Sequence, residues 1–196
     1  MLDAAVVDRL GETGLRTACD AGVDWIQLRD RSRDGAELLA AADHAVAAAR
    51  ASARAVRVVV NRRADIARAA GADGVHLGFD ALPAVRARAL LGAQAWIGVS
   101  LHDPAAVGGE PDADYVHLAP IFAPLSKPME RVPLGLAGLR AARARGVPVI
   151  AQGGIEPANA RAVLVAGASG VAVTGAIGGA PDSARAIRAL RSALDE

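Results

Sequence analysis

Short β-rich apolar runs alternate along the chain with longer stretches in which Ala, Leu and Arg recur at helical period. The runs are Ala5 to Val7, Trp25 to Leu28, Val58 to Val60, Gly74 to Leu77, Trp96 to Val99, Tyr115 to Leu118, Val149 to Ala151 and Gly170 to Val173. Runs this short, separated by helical segments, are the pattern of βα units around a parallel sheet. A last segment, Asp182 to Leu194, sets Ile187, Leu190 and Leu194 on one stripe and predicts a helix laid on the core. The pattern predicts an α/β fold, a compact (β/α)8 TIM barrel with a closed parallel sheet and a single domain over residues 1–196.

A repeat favours closure over an open doubly wound sheet. Ala21-Gly22-Val23-Asp24-Trp25-Ile26, Ala70-Gly71-Ala72-Asp73-Gly74-Val75 and Ala166-Gly167-Ala168-Ser169-Gly170-Val171 share one order of helix stop, turn and strand start. Asp112-Ala113-Asp114-Tyr115-Val116 is a weaker fourth copy. A barrel built from βαβα quarters enters alternate strands alike; an open sheet needs no such echo. The longest irregular stretch, residues 119–134, is rich in proline and charge, as functional or disordered loops are.

Charge narrows the ligand. The chain has 22 basic and 21 acidic residues, so no overall field draws it to nucleic acid or to an anionic membrane. No apolar run approaches the length of a membrane span, and Met1-Leu2-Asp3 lacks the basic and apolar regions of a signal peptide, which predicts a cytoplasmic protein. Cys19 is the one cysteine and reads as a small buried residue in a helix. A homodimer is compatible with this composition; a small, locally held molecule is the expected ligand.

In such barrels the chemistry sits at the carboxyl ends of the strands. Gln27 and Arg29 lie two apart there, on one face, and Arg31 and Arg33 follow on the loop. Guanidinium groups so clustered could clamp a phosphate or diphosphate, although arginines on a solvated loop are as common. Asn61 and Ser100 end two further strands and fit a turn or cap equally well. Gln152-Gly153-Gly154-Ile155 and Thr174-Gly175-Ala176-Ile177 follow the last two strand candidates, where many barrels bind phosphate on backbone amides. His76 and His117 follow Asp73 and Asp114 at the offset by which Gln27 follows Asp24, so all three should face inward. A neutral imidazole could move protons near pH 7, though a satisfied core histidine is the commoner outcome.

Read in order, Gln27-Leu28-Arg29, Val60-Asn61-Arg62-Arg63-Ala64-Asp65, Gly74-Val75-His76-Leu77-Gly78, Ile97-Gly98-Val99-Ser100, Asp114-Tyr115-Val116, Ser126-Lys127, Gly153-Gly154-Ile155 and Ala166-Gly167-Ala168 resemble the thiamine phosphate synthase and TenI (thiazole tautomerase) family over nearly the whole chain. The resemblance implies one of two reactions. A synthase joins a thiazole phosphate to an aminopyrimidine diphosphate, with Mg²⁺ assisting departure of diphosphate; a tautomerase shifts a double bond in a carboxylated thiazole phosphate. By position, Gln27, Arg29, Asn61 and Ser100 would hold the pyrimidine and diphosphate, with Arg31 in place of the usual lysine and Ser126 in the usual Thr-x-Thr-Lys stretch. Lys127 would contact the phosphates, and Gly153, Gly154, Thr174, Gly175 and Ala176 would seat the thiazole phosphate.

Departures accompany the resemblance. Arg62 stands where synthases usually carry an aspartate, and Gly78-Phe79-Asp80-Ala81 replaces the usual Gly-Gln-Glu-Asp. Both acidic Mg²⁺ positions are altered, and Asp80 would serve only if its loop shifted. These losses narrowly favour a metal-independent tautomerase-like isomerase using His76 or His117. The tautomerase match is also incomplete, because the histidine of that branch falls on Pro120. A divergent synthase that needs Mg²⁺ is the alternative, and a non-catalytic thiazole-phosphate-binding barrel is a third.

Overall fold

The computed structural model describes residues 1–123 and 131–196. Seven parallel strands form one sheet in chain order: β1 (Trp25–Leu28), β2 (Arg57–Asn61), β3 (Gly74–Leu77), β4 (Trp96–Leu101), β5 (Tyr115–Leu118), β6 (Val149–Gln152) and β7 (Gly170–Ala172). Helices α1 (Ala4–Asp20), α2 (Gly35–Ala51), α3 (Ala64–Ala69), α4 (Ala84–Leu91), α5 (Gly135–Arg143), α6 (Pro157–Val165), α7 (Gly175–Gly178) and α8 (Ser183–Asp195) alternate with them. The architecture is TIM-barrel-like.

Two expectations are corrected. Ala5 to Val7 is not a strand but lies inside α1, where the Asp3 side chain caps the helix by accepting from Val6 N at 2.8 Å. Three apolar residues fit either period, and the cap decides. The described sheet also has seven strands rather than eight, and its ladder does not close. Residues 1 and 2, just ahead of the helix, reach both β1 and the segment after β7. Leu2 makes an isolated parallel bridge to Leu28, and the Met1 amine donates to Val173 O at 2.7 Å.

Alternation along each strand sorts the side chains. Leu28, Val58, Val60, Val75, Leu77, Ile97, Val99, Val116, Leu118, Val149 and Ala151 are buried in clusters shared with the helices. The opposite set faces the interior. At its amino end Trp25, Trp96 and Tyr115 pack together, with Trp25 and Tyr115 ring centroids 4.6 Å apart. Gly98 makes this possible: a Cβ there would lie 2.1 Å from Tyr115 Cζ. Above the aromatic layer comes a polar one, formed by Gln27, Asn61, His76, Ser100, His117 and Gln152.

The repeat has a physical basis. Asp73 Oδ2 accepts from Val58 N, and Asp114 Oδ2 from Ile97 N, each at 2.7 Å, so the turn entering β3 or β5 pins the start of the preceding strand. Arg50 and Arg88 pair with these carboxylates. Among the described residues no helix is long and apolar enough to cross a membrane.

Candidate functional site

The carboxyl ends of the strands surround a cavity of about 790 Å³. Gln27, Arg29, Arg31, Asn61, His76, Ser100, His117, Gly153, Gly154, Thr174, Gly175 and Ala176, all expected from the sequence, line it. Ser126 and Lys127 lie outside the described residues. Arg33 points away, paired with Asp8 at 2.6 Å. The loop arginines thus divide: Arg29 and Arg31 serve the mouth, whereas Arg33 ties the loop to α1.

The polar layer is built on His76. Its ring is 1% exposed, with Nδ1 3.3 Å from Tyr115 Oη and Nε2 2.8 Å from Ser100 Oγ. Asn61 Nδ2 donates to His76 O at 3.3 Å. The His117 ring stacks at a tilt 4.1 Å from that of His76, and its Nδ1 is 3.2 Å from Gln152 Oε1. Burial, and next the neighbouring His117, push His76 well below the usual histidine value. Burial likewise pushes His117 down to about 4, against the opposing hydrogen bond with Gln152. Both rings are neutral at pH 7. Gln27 Oε1 is buried without a hydrogen-bond partner among the described residues, a costly state that a ligand donor would relieve.

Beyond β6 and β7 the backbone takes over. Gly153 and Gly154 adopt φ of +97° and +62°, a region that favours glycine. They also pack under the segment after β5: a Cβ on Gly153 would lie 2.9 Å from Pro120 Cβ, and one on Gly154 2.4 Å from Ala123 O. The N–H groups of Gly153, Gly154, Gly175 and Ala176 find no acceptor among the described residues. Amides so placed suit an anion. A bulkier residue at Gly153 would displace the Pro120 segment as well as the amides, so it would not leave the fold untouched.

Asp80 is already engaged. Arg62 hydrogen-bonds its carboxylate, and Arg31 approaches to 3.6 Å. Desolvation raises its pKa, but the Arg62 hydrogen bond and the charges of both arginines outweigh that and hold the carboxyl below its ordinary range. Arg62 itself is in the left-handed region at φ 67°, uncommon for a non-glycine residue, with its N–H donated to His76 O at 2.8 Å. Among the described residues no group of three or more His, Cys, Asp or Glu could hold a metal ion. The Asp80 carboxylate, paired with Arg62 and Arg31, does not offer an open ligand position to Mg²⁺ in this arrangement.

Among the further lining residues, Phe79, His102, Arg131 and Gln152 carry aromatic or polar side chains to which sequence reasoning gave no role of their own. Gln152 was legible, since it ends β6 at the inward phase of Ile150. Arg131 follows the proline-rich stretch, and Phe79 and His102 are lone residues in loops where no period operates. Cys19 is fully buried in α1, and its thiol is pushed up to about 11 by burial and then by the charge of Asp20, so it is no nucleophile.

Comparison with known proteins shows the family. The model of a family described as thiamine monophosphate synthase matches residues 4–177. A thiamine-phosphate synthase of Methanoculleus marisnigri is 43% identical over 182 residues, 91% of this chain and 85% of that protein. One from Moorella thermoacetica is 42% identical, covering 92% and 86%. Among solved structures, a thiamine phosphate pyrophosphorylase from Pyrococcus furiosus superposes with a TM-score of 0.83 at 30% identity, over 94% of this chain and 89% of that one. A 3-hexulose-6-phosphate synthase aligns at 0.67 and 27%, over 99% and 96%. With the match running from the first helix to the glycine loop after β7, the chain belongs to the thiamine monophosphate synthase family.

Proposed function

We propose that the chain is a thiamine-phosphate synthase, a transferase that joins a thiazole phosphate to an aminopyrimidine diphosphate, rather than the isomerase that the altered aspartates favour on sequence alone. The observation that carries this reading is the pairing of two anion-holding regions across one cavity. Arg29 and Arg31 lie after β1, and the amides of Gly153, Gly154, Gly175 and Ala176, without acceptors among the described residues, lie after β6 and β7 in the same cavity. Two phosphorylated substrates need two such regions, and a pair of arginines suits a diphosphate better than the single carboxylate that a tautomerase substrate would place there. The curated relatives at 42–43% identity are all named as synthases, which supports the same choice.

In this reading Arg29 and Arg31 bind the diphosphate and stabilise the charge it gains as it leaves with the electron pair of its bond. Gln27, Asn61 and Ser100 orient the pyrimidine, and the glycine amides with Thr174 seat the thiazole phosphate. Lys127 and Ser126 are assigned to the phosphates by resemblance alone. His76 is a positioning residue: both ring nitrogens are engaged, by Tyr115 and Ser100, so it holds the Ser100 hydroxyl and takes no substrate proton. His117 Nδ1 is engaged by Gln152, and its Nε2 has no hydrogen-bond partner among the described residues. At the two positions where the family resemblance implies acidic Mg²⁺ ligands this chain has Arg62 and Ala81, neither of which can ligate a cation.

The test incubates the protein with both substrates, with and without Mg²⁺, and follows thiamine phosphate by mass spectrometry. A parallel reaction follows deuterium uptake into carboxylated thiazole phosphate in D₂O. Coupling is expected. Deuterium uptake without coupling would establish the isomerase instead, and binding without either reaction the non-catalytic barrel.

A further inference from the structure

The turn after β3 carries an exposed aromatic ring over the mouth. Gly78 O accepts from Ala81 N at 3.1 Å, which closes a turn with Phe79 and Asp80 at its tip. Phe79 is 67% exposed yet fixed in direction. Its ring stacks on His102, which follows β4, with centroids 4.6 Å apart and planes 29° from parallel. His102 is itself anchored, its Nδ1 2.6 Å from Ala119 O at the end of β5. On the other side of the turn, Asp80 is tied to Arg62 and Arg31. Two tethers therefore hold one planar apolar face at the rim of a cavity whose lining also includes Arg29, Arg31, Ser100 and the glycine loops.

We propose that Phe79, backed by His102, is a specificity-determining shelf on which the pyrimidine ring of the diphosphate substrate stacks. Aromatic faces attract flat heterocycles in offset or tilted stacks, and a ring already held against a partner loses little freedom on taking a third layer. The position fits the pyrimidine better than the thiazole. The shelf stands beside Ser100 and the Arg31–Asp80 pair, on the side of the mouth away from the Gly153 and Gly175 loops. The usual family stretch has glutamine at this place, so the shelf is a property of this chain.

This inference rests on the synthase reading, and calorimetry separates the two. The ligands are the aminopyrimidine diphosphate and inorganic diphosphate, which has the same charge but no ring. Phe79→Ala is expected to weaken the ring-bearing ligand about tenfold and leave inorganic diphosphate unchanged; Phe79→Tyr should restore affinity, and Phe79→Leu should restore little of it. Equal loss for both ligands would mean that Phe79 acts through the Asp80–Arg31 arrangement, and no loss for either would mean that the ring is held elsewhere; each overturns the shelf. If the unsubstituted protein binds neither ligand, the synthase reading itself falls and takes the shelf with it. The side chain is exposed, so these variants should fold, and unchanged thermal unfolding checks that they do.

Discussion

At the scale of single residues, the mouth is governed by what each polar group already touches. Arg33 and Arg62 are occupied by Asp8 and Asp80, while the amides of the glycine loops have no acceptor among the described residues. The buried histidines give a testable pH dependence. An unfolded His117 titrates near 6.5 but the folded one near 4, so below pH 6.5 the unfolded chain binds the extra proton. Stability should therefore be full above pH 6.5 and fall as pH drops towards 4, by on the order of 3 kcal/mol for this residue. His76 adds in the same direction. The carboxylates of Asp20, Asp30, Asp65 and Asp80 are held below their ordinary value and titrate lower still, outside this window. Urea midpoints at pH 7.5, 6 and 5 should decline in the unsubstituted protein and decline less in His117→Gln; a flat profile would contradict a buried neutral His117.

At the scale of elements, each strand separates an apolar face for the helices from an interior face of mixed chemistry. β4 shows the constraint most sharply. Trp96, Gly98 and Ser100 share its interior face, and Gly98 exists as a space for Tyr115, whose hydroxyl in turn meets His76. Gly98→Ala would put a methyl group inside the Tyr115 ring. It should destabilise the protein by about 3 kcal/mol or more, because neither strand can move without breaking its ladder. Chemical denaturation measures the loss. A change under 1 kcal/mol would mean that Tyr115 has another place to go.

At the scale of the whole molecule, the gap between β1 and β7 is the main departure from a closed barrel. It opens into a second cavity of about 400 Å³, lined by Leu15, Ile26, Val171, Ile187, Leu190 and Leu194 among others. Two parallel edges face it, and the Leu2–Leu28 bridge already sets a direction between them. An apolar β-branched segment of about four residues fused ahead of Met1 should pair with both edges, cover this surface and stabilise the protein by on the order of 3 kcal/mol. For a chain of this size that is roughly 10 °C in Tm. A Gly-Ser segment of equal length is the control, and equal behaviour of the two fusions would show that the gap does not accept a strand.

Much of this protein could be read without coordinates, for reasons that are local. The two-residue period fixed which side of each strand Gln27, His76 and His117 occupy, and the shared Asp offset set them at one height. The Gly153-Gly154 pair after β6 and the single Gly175 after β7 marked the amide loops, and at the pair only glycine adopts the observed backbone angles cheaply. The family pattern is likewise carried by short runs in order. What the sequence could not decide depends on contacts between distant segments. Asp3 turned a three-residue apolar run into a helix. Asp80 met Arg62 and Arg31 instead of remaining free, and Phe79 found His102 across two loops. Tertiary packing alone determines these pairings, since no period or spacing along the chain encodes which loop partners will meet.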